Sequence, residues 1–134
     1  MIIMVIDGQG GGIGAAIIKG LREKFGNDQE IYALGTNSIA TSRMMKSGAN
    51  RGATGENAII RTCRQVDVII GPLAILLSNA MMGEVTPGIA EELCSCDARK
   101  IAIPLTRENV DIVGIKSEPL PHMVQKAVQL IKEI

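Results

Sequence analysis

The sequence predicts an α/β fold: a Rossmann-like, doubly wound, mostly parallel sheet of about five or six strands with helices on both faces, a three-layer α/β/α sandwich in one domain over residues 1–134. Three observations predict it. Short runs that are apolar throughout, of which 2–6 and 66–70 are the clearest, read as strands buried on both faces. They alternate with segments whose apolar residues recur every three or four positions, the period of a helix. A chain of 134 residues also suits a single hydrophobic core.

Strand one, at 2–6, ends at a glycine cluster. A helix over 13–25 follows, with Ile13, Ala16, Ile17, Gly20, Leu21 and Phe25 on its inner side and Gly26-Asn27 as its stop. Strand two, at 30–34, runs into Gly35-Thr36-Asn37-Ser38, small polar residues that turn the chain and cap a helix over 39–46. A short edge strand at 51–54, a helix at 56–64 and the buried strand at 66–70, bounded by Gly71-Pro72, come next. Thr86 before Pro87 is a helix start, and that helix runs to Cys94 or Cys96. Residues 100–105 and 111–116 read as strands joined across 106–110. So short a connection predicts an antiparallel pair, since a parallel crossover needs about a dozen residues. The last segment, 121–134, carries Met123, Val124, Ala127, Val128, Leu130, Ile131 and Ile134 on the stripe a sheet-covering helix needs.

Composition narrows the function classes. Phe25 and Tyr32 are the only aromatic residues, so the core is aliphatic. Fourteen basic residues balance fourteen acidic ones with no basic cluster, and nucleic acid is not an expected partner. Residues 2–6 lack the flanks of a signal peptide, and no apolar run approaches the roughly 20 residues that span a bilayer. With Cys63, Cys94 and Cys96 an odd set, reduced thiols and a cytoplasmic location are expected.

The run Asp7-Gly8-Gln9-Gly10-Gly11-Gly12-Ile13-Gly14-Ala15 lies between a strand and a helix, the context that gives a glycine motif meaning. Glycines allow a tight turn and let main-chain N–H groups approach an anion where the helix dipole favours negative charge. Gly10, Gly12 and Ala15 fit G-x-G-x-x-G/A. Gly8, Gly12 and Gly14 fit the G-x-x-x-G-x-G spacing of short-chain dehydrogenases. Ligands in such sheets bind beyond the carboxyl ends of the strands where strand order reverses, an edge expected to gather 7–14, 35–38, 54–57 and 71–73. The candidate ligand set is therefore Asp7, Gly8, Gln9, Gly10, Gly11, Gly12, Ile13 and Gly14, with Thr36, Asn37, Ser38, Thr54, Asn57 and Gly71 along the rest of the cleft.

The segment from Ser47-Gly48-Ala49 through Gly52-Ala53-Thr54-Gly55 to Val66-Asp67-Val68-Ile69-Ile70 resembles the second half of an NAD(P)-binding Rossmann unit. That resemblance implies NAD(P) or another nucleotide as ligand. It departs at the end of strand two, where Thr36, Asn37 and Ser38 stand in place of the acidic residue that holds the ribose of NAD. It departs again at Tyr32, the only tyrosine, which lies inside a strand, so the tyrosine–lysine pair of the short-chain enzymes cannot be assigned. The whole chain resembles a family of short bacterial proteins known as domain of unknown function 3842. The matching runs are Ile6 through Gly14, Ala33-Leu34-Gly35-Thr36-Asn37, Gly52-Ala53-Thr54-Gly55-Glu56-Asn57-Ala58 and Gly83-Glu84-Val85-Thr86-Pro87. This resemblance implies the fold and no activity.

Asp7 admits two readings: it caps the amides of Gly10, Gly11 and Gly12 and holds the turn closed, or it binds Mg²⁺ beside a phosphate. The phosphate reading requires those amides to be free rather than filled by Asp7. Thr54 reads as an N-cap or a polar contact, and Ser78-Asn79 as a cleft wall or a fraying helix. Cys94-Ser95-Cys96 with Met44, Met45, Met81, Met82 and His122 reads as core and surface rather than as a metal site, and no metal ligand is assigned. Three functions follow: a nucleotide- or dinucleotide-binding module of unspecified reaction, an enzyme using Asp7 with Mg²⁺ or a cofactor, or an assembly or metal-handling protein with a structural turn. For the last, the apolar face Leu73–Met82, with its block Leu73, Ala74, Ile75, Leu76 and Leu77, suggests a subunit contact in a homodimer.

Overall fold

The structure is a computed structural model that describes residues 1–105 and 108–131. Its elements alternate along the chain: β1 (Ile2–Asp7), α1 (Gly12–Phe25), β2 (Glu30–Gly35), α2 (Ser38–Lys46), β3 (Arg51–Thr54), α3 (Glu56–Cys63), β4 (Val68–Pro72), a 3₁₀ turn (Leu73–Leu76), α4 (Pro87–Ser95), β5 (Arg99–Ile103) and α5 (Leu120–Ile131). The five strands form one parallel sheet in the order β3-β2-β1-β4-β5. β1 is central, pairing Ile6 with Leu34 of β2 on one side and Val5 with Ile70 of β4 on the other. Strand order reverses between β1 and β4, which opens a crevice above their carboxyl ends.

Alternation along β1 divides the core. Ile3 and Val5 point to the layer of α1, α2 and α5, where Ile17, Ile18, Leu21, Ala40, Met44, Val124 and Val128 are buried. Met4 and Ile6 point to the layer of α3 and α4, with Ile59, Cys63, Ile89 and Leu93. Each fully buried Ile or Leu here contributes about 1.5–3 kcal/mol of transfer free energy. Thr86 caps α4 ahead of Pro87, as the sequence predicts, and of the polar run 35–38 it is Asn37 that caps α2, accepting the Ala40 N–H at 2.9 Å.

Residues 111–116 do not form the expected sixth strand, so the antiparallel last pair is absent and the sheet stays at five strands, all parallel. Gly114, at φ 87°, breaks that run with a turn, and its apolar residues find no face to bury, Val113 being 98% exposed. Of the expected connection 106–110, Thr106 and Arg107 lie outside the described residues, as do 132–134 of the last helix. Of the expected face Leu73–Met82, Ala74 and Ile75 are buried and Leu76 and Leu77 pack against the α3–α4 core, whereas Met82 is 97% exposed. Among the described residues no helix is long and apolar enough to cross a membrane.

Candidate functional site

β1 ends at Asp7, whose side chain is 3% exposed beneath the glycine turn. Its Oδ1 accepts the Gly8 N–H at 2.8 Å and its Oδ2 accepts the Gly14 N–H at 2.7 Å, so the carboxylate ties the two ends of the turn together. The expected cap on Gly10, Gly11 and Gly12 is not formed: the amides bound lie two residues outside that span on each side. The reason is reach: Asp7 lies under the turn, facing the third residue of α1. Burial raises the Asp7 pKa above its ordinary value against the lowering pull of the Gly14, Gly8 and Ile13 amides, and the charge of Glu84 pushes it further up.

The turn is closed by the Gly11 N–H donating to the Gly8 carbonyl at 2.9 Å. Gly11 has φ 74°, and a Cβ there would stand 2.8 Å from the Ala40 Cα, so the position requires glycine twice over, for its dihedral and for the approach of α2. The N-cap residue of α1, Gly11, has no side chain to cap it, and Asp7 supplies an acceptor to the first turn from outside the helix instead. With Asp7 holding Gly14, the amides of Gly10 and Gly12 are left without an acceptor among the described residues. Beside them stands Arg43 of α2, whose Nη1 donates to the Gly10 carbonyl at 3.3 Å and lies 3.4 Å from where a Gly12 Cβ would be. No salt bridge engages Arg43 among the described residues.

A second carboxylate reaches the turn from the β4–α4 connection. Glu84 Oε1 accepts the Gln9 N–H at 2.9 Å, the Thr36 hydroxyl at 2.7 Å and the Asn37 side-chain N–H at 2.8 Å. Asn37 Nδ2 also donates to the Gln9 carbonyl at 2.9 Å. Burial pushes the Glu84 pKa up, but these three hydrogen bonds outweigh it and hold the carboxyl below its ordinary range. The same connection carries Asn79, Met81, Met82 and Gly83 in the left-handed region, at φ 68°, 56°, 56° and 91°. Such a run costs about 1–2 kcal/mol for each residue other than glycine. It is held in part by the Met81 N–H donating to Glu108 Oε1 at 2.7 Å.

A cleft of about 1010 Å³ opens above the switch point. The turn from Asp7 to Ile13 forms one wall, Pro72, Ala74, Asn79, Met81 and Met82 a second, and Leu105 and Glu108 the far end. It brings together Asp7, Gly8, Gln9, Gly10, Gly11, Gly12 and Ile13 of the expected set. The others lie elsewhere. Gly14 is spent on Asp7, Thr36 and Asn37 are bound to Glu84, and Ser38 lines a separate depression with Ile39, Ser42, Arg43 and Lys46. Gly71 is buried within β4. Thr54 is not an N-cap: its hydroxyl pairs with that of Thr41 at 2.8 Å and Gly55 occupies the capping position of α3. Asn57 is exposed on α3, which rises from the β3 edge of the sheet. Ser78 and Asn79 lie in a turn rather than a helix. Among the described residues no group of three or more His, Cys, Asp or Glu is placed to hold a metal ion.

Arg43, Glu84, Met81, Met82 and Glu108 were not in the expected set. Arg43 is an ordinary polar position of a helix, and nothing local marks it. Glu84 lies in the run Gly83-Glu84-Val85-Thr86-Pro87, the one feature of the sequence that singled out its neighbourhood.

The order of strands, the two helical layers and a glycine turn at the head of α1 define a Rossmann-like three-layer α/β/α domain. The chain belongs to the family described as Domain of unknown function (DUF3842), which it matches over residues 2–134. No curated protein matches it.

Proposed function

We propose that this protein binds a phosphate-bearing small molecule of the nucleotide class, with its anion on the rim of the glycine turn rather than deep within it. The observation that carries the reading is the pair of unclaimed amides at Gly10 and Gly12 on the rim of the switch-point cleft, approached from the neighbouring depression by the Arg43 guanidinium of α2. The inner part of the recess is filled by Asp7, so the anion meets two main-chain donors and one cation instead of the full first turn of α1. Burial of an aliphatic wall at Pro72, Ala74 and Met81 gives the rest of the ligand an apolar face. NAD(P) is one member of the class, and the reading specifies no reaction. A cytoplasmic setting, where such ligands and reduced thiols occur together, belongs to the same proposal.

Calorimetric titration with NAD(H), NADP(H), ATP and GTP tests it. Binding of at least one of them is expected, weakened about 10- to 100-fold by Arg43→Gln, the loss of one charge-assisted contact of about 1.5–3 kcal/mol. No heat of binding with any of these four, nor with a mononucleotide such as AMP, GMP or nicotinamide mononucleotide, at millimolar concentration overturns the reading. The magnesium-dependent alternative is disfavoured because both Asp7 oxygens already accept amides. Turnover that requires Mg²⁺ and is abolished by Asp7→Asn would restore it. Assembly as a homodimer has one observation in its favour, the exposed apolar residues Val110, Val113 and Ile115 in the segment that follows the edge strand β5. A monomeric mass in sedimentation at high protein concentration would remove it.

A further inference from the structure

We propose that Glu84 is the specificity-determining residue of this cleft: by latching the glycine turn to the end of β2 it closes the β1–β2 side, so the site takes a mononucleotide-class phosphomonoester and not a dinucleotide. The inference rests on the binding reading above and deepens it. A dinucleotide bound across a sheet of this order needs two crevices. One half lies at the switch point between β1 and β4, the pyrophosphate crosses the turn, and the second ribose lies over the end of β2, held by an acidic side chain there.

In this protein the second crevice is occupied. Glu84 Oε1 stands at the end of β2 with Gln9 N–H, Thr36 Oγ1 and Asn37 Nδ2 all donating to it, and Asn37 bridges back to the Gln9 carbonyl. The packing beneath is as close: a Cβ on Gly8 would lie 2.6 Å from the Met81 sulfur and 3.1 Å from Glu84 Oε1. The carboxylate therefore stands where a ribose would enter, its Oε1 held by three protein donors that fix the side chain across the β1–β2 side. It is an acidic group at the customary place, delivered from the β4–α4 connection instead of from β2, and turned inward to bind protein.

The shape of the cleft agrees. Its lining comes from the turn after β1 and from the segments after β4 and β5, and includes none of Thr36, Asn37, Ser38, Thr54 or Asn57. The open volume runs from the turn toward Leu105 and Glu108, away from β2. A second phosphate carried toward β2 would also approach the Glu84 charge, which repels it at short range. One anion at Gly10 and Gly12 with one ring system over Met81 and Ala74 satisfies the cleft.

The test is calorimetric titration of the wild-type chain with AMP, GMP, nicotinamide mononucleotide and NAD⁺, repeated with Glu84→Ala and Glu84→Gln. The expected wild-type result is a mononucleotide that binds at least as tightly as NAD⁺. Glu84→Ala, which removes the latch, is expected to shift the ratio of affinities toward NAD⁺ by fivefold or more. Glu84→Gln keeps an acceptor for the three donors and is expected to shift it by less than twofold. Wild-type protein that binds NAD⁺ more tightly than every mononucleotide overturns this inference and leaves the binding reading standing. So does an unchanged ratio in a folded Glu84→Ala. If none of the four binds the wild type, and NADP(H), ATP and GTP do not either, the binding reading and this inference fall together. The wild-type ratio decides the matter even where an Ala variant does not fold.

Discussion

Replacing Asp7 by Asn keeps the size of the side chain and exchanges one acceptor oxygen for a donor. In the native turn both oxygens are used, Oδ1 by Gly8 N–H and Oδ2 by Gly14 N–H, at 2.8 and 2.7 Å. The asparagine side chain offers one oxygen for two amides, so one buried N–H faces an NH₂ group and loses its partner, a cost of about 1–3 kcal/mol. The bond that survives becomes neutral and weaker. Part of this is returned, because the desolvated charge that raises the Asp7 pKa is gone. A net loss of about 2 kcal/mol follows, or a melting temperature about 7 °C lower for a domain of this length. Urea unfolding at fixed temperature measures it, with the slope m unchanged. The pH dependence adds a sign. A folded-state pKa raised above 3.8 means the native state holds that proton more tightly than the unfolded chain. Wild-type stability from Asp7 therefore increases as pH falls through the interval just above that value and is smaller above it. The Asp7→Asn variant has no proton to exchange at this position, so the gap between the two proteins is wider near pH 4 than at pH 7. A variant within about 0.5 kcal/mol of wild type at both pH values would refute the account of Asp7 as the tie across the turn.

Three further outcomes are expected. Gly11→Ala forces a Cβ into the Ala40 backbone and into φ 74°, and should cost more than about 2 kcal/mol in the same urea measurement. Met82→Asn should be stabilising by about 0.5–1 kcal/mol, because Met82 is 97% exposed at φ 56° and Asn tolerates that conformation; a loss of stability would mean that the Met82 side chain carries a contact. Among the thiols, burial pushes Cys63 up to about 12, with Cys96 close beside it adding to the shift, whereas Cys94 is exposed. Iodoacetamide at pH 8 followed by mass spectrometry should label Cys94 first and leave Cys63 unmodified until the chain unfolds.

Most of the architecture was legible because it depends on local pattern. The apolar runs that became β1, β2 and β4 bury both faces, and a residue sequence without polar alternation has no other stable place in a small domain. Thr86-Pro87 and Asn37 announced their helices through capping chemistry that acts within three residues. The run 111–116 misled because short apolar stretches carry no record of whether a partner strand is available, and Gly114 interrupts it. The site was legible only where it is local. The turn after β1 is written in consecutive glycines, whereas the Glu84 contact joins residues 75 apart in sequence and the Arg43 contact residues 33 apart. Thr36 and Asn37 stand out as polar groups at the end of β2, but their partner is a protein carboxylate, which no spacing rule reveals.

The central place of β1 has a consequence for how the protein would report occupancy. The floor of the cleft hangs from a strand paired along both edges and sealed under two helical layers, so its amides exchange with solvent only through global opening. The opposite wall, 77–86, is fastened by turns, a few carboxylate contacts and an energetically unfavourable left-handed run. Deuterium uptake should therefore be sharply uneven across the two walls, slow below the turn and fast opposite it. A ligand would be felt as quieting of the second wall and of the Gly10 and Gly12 amides on the turn, while the strand beneath stays as it was.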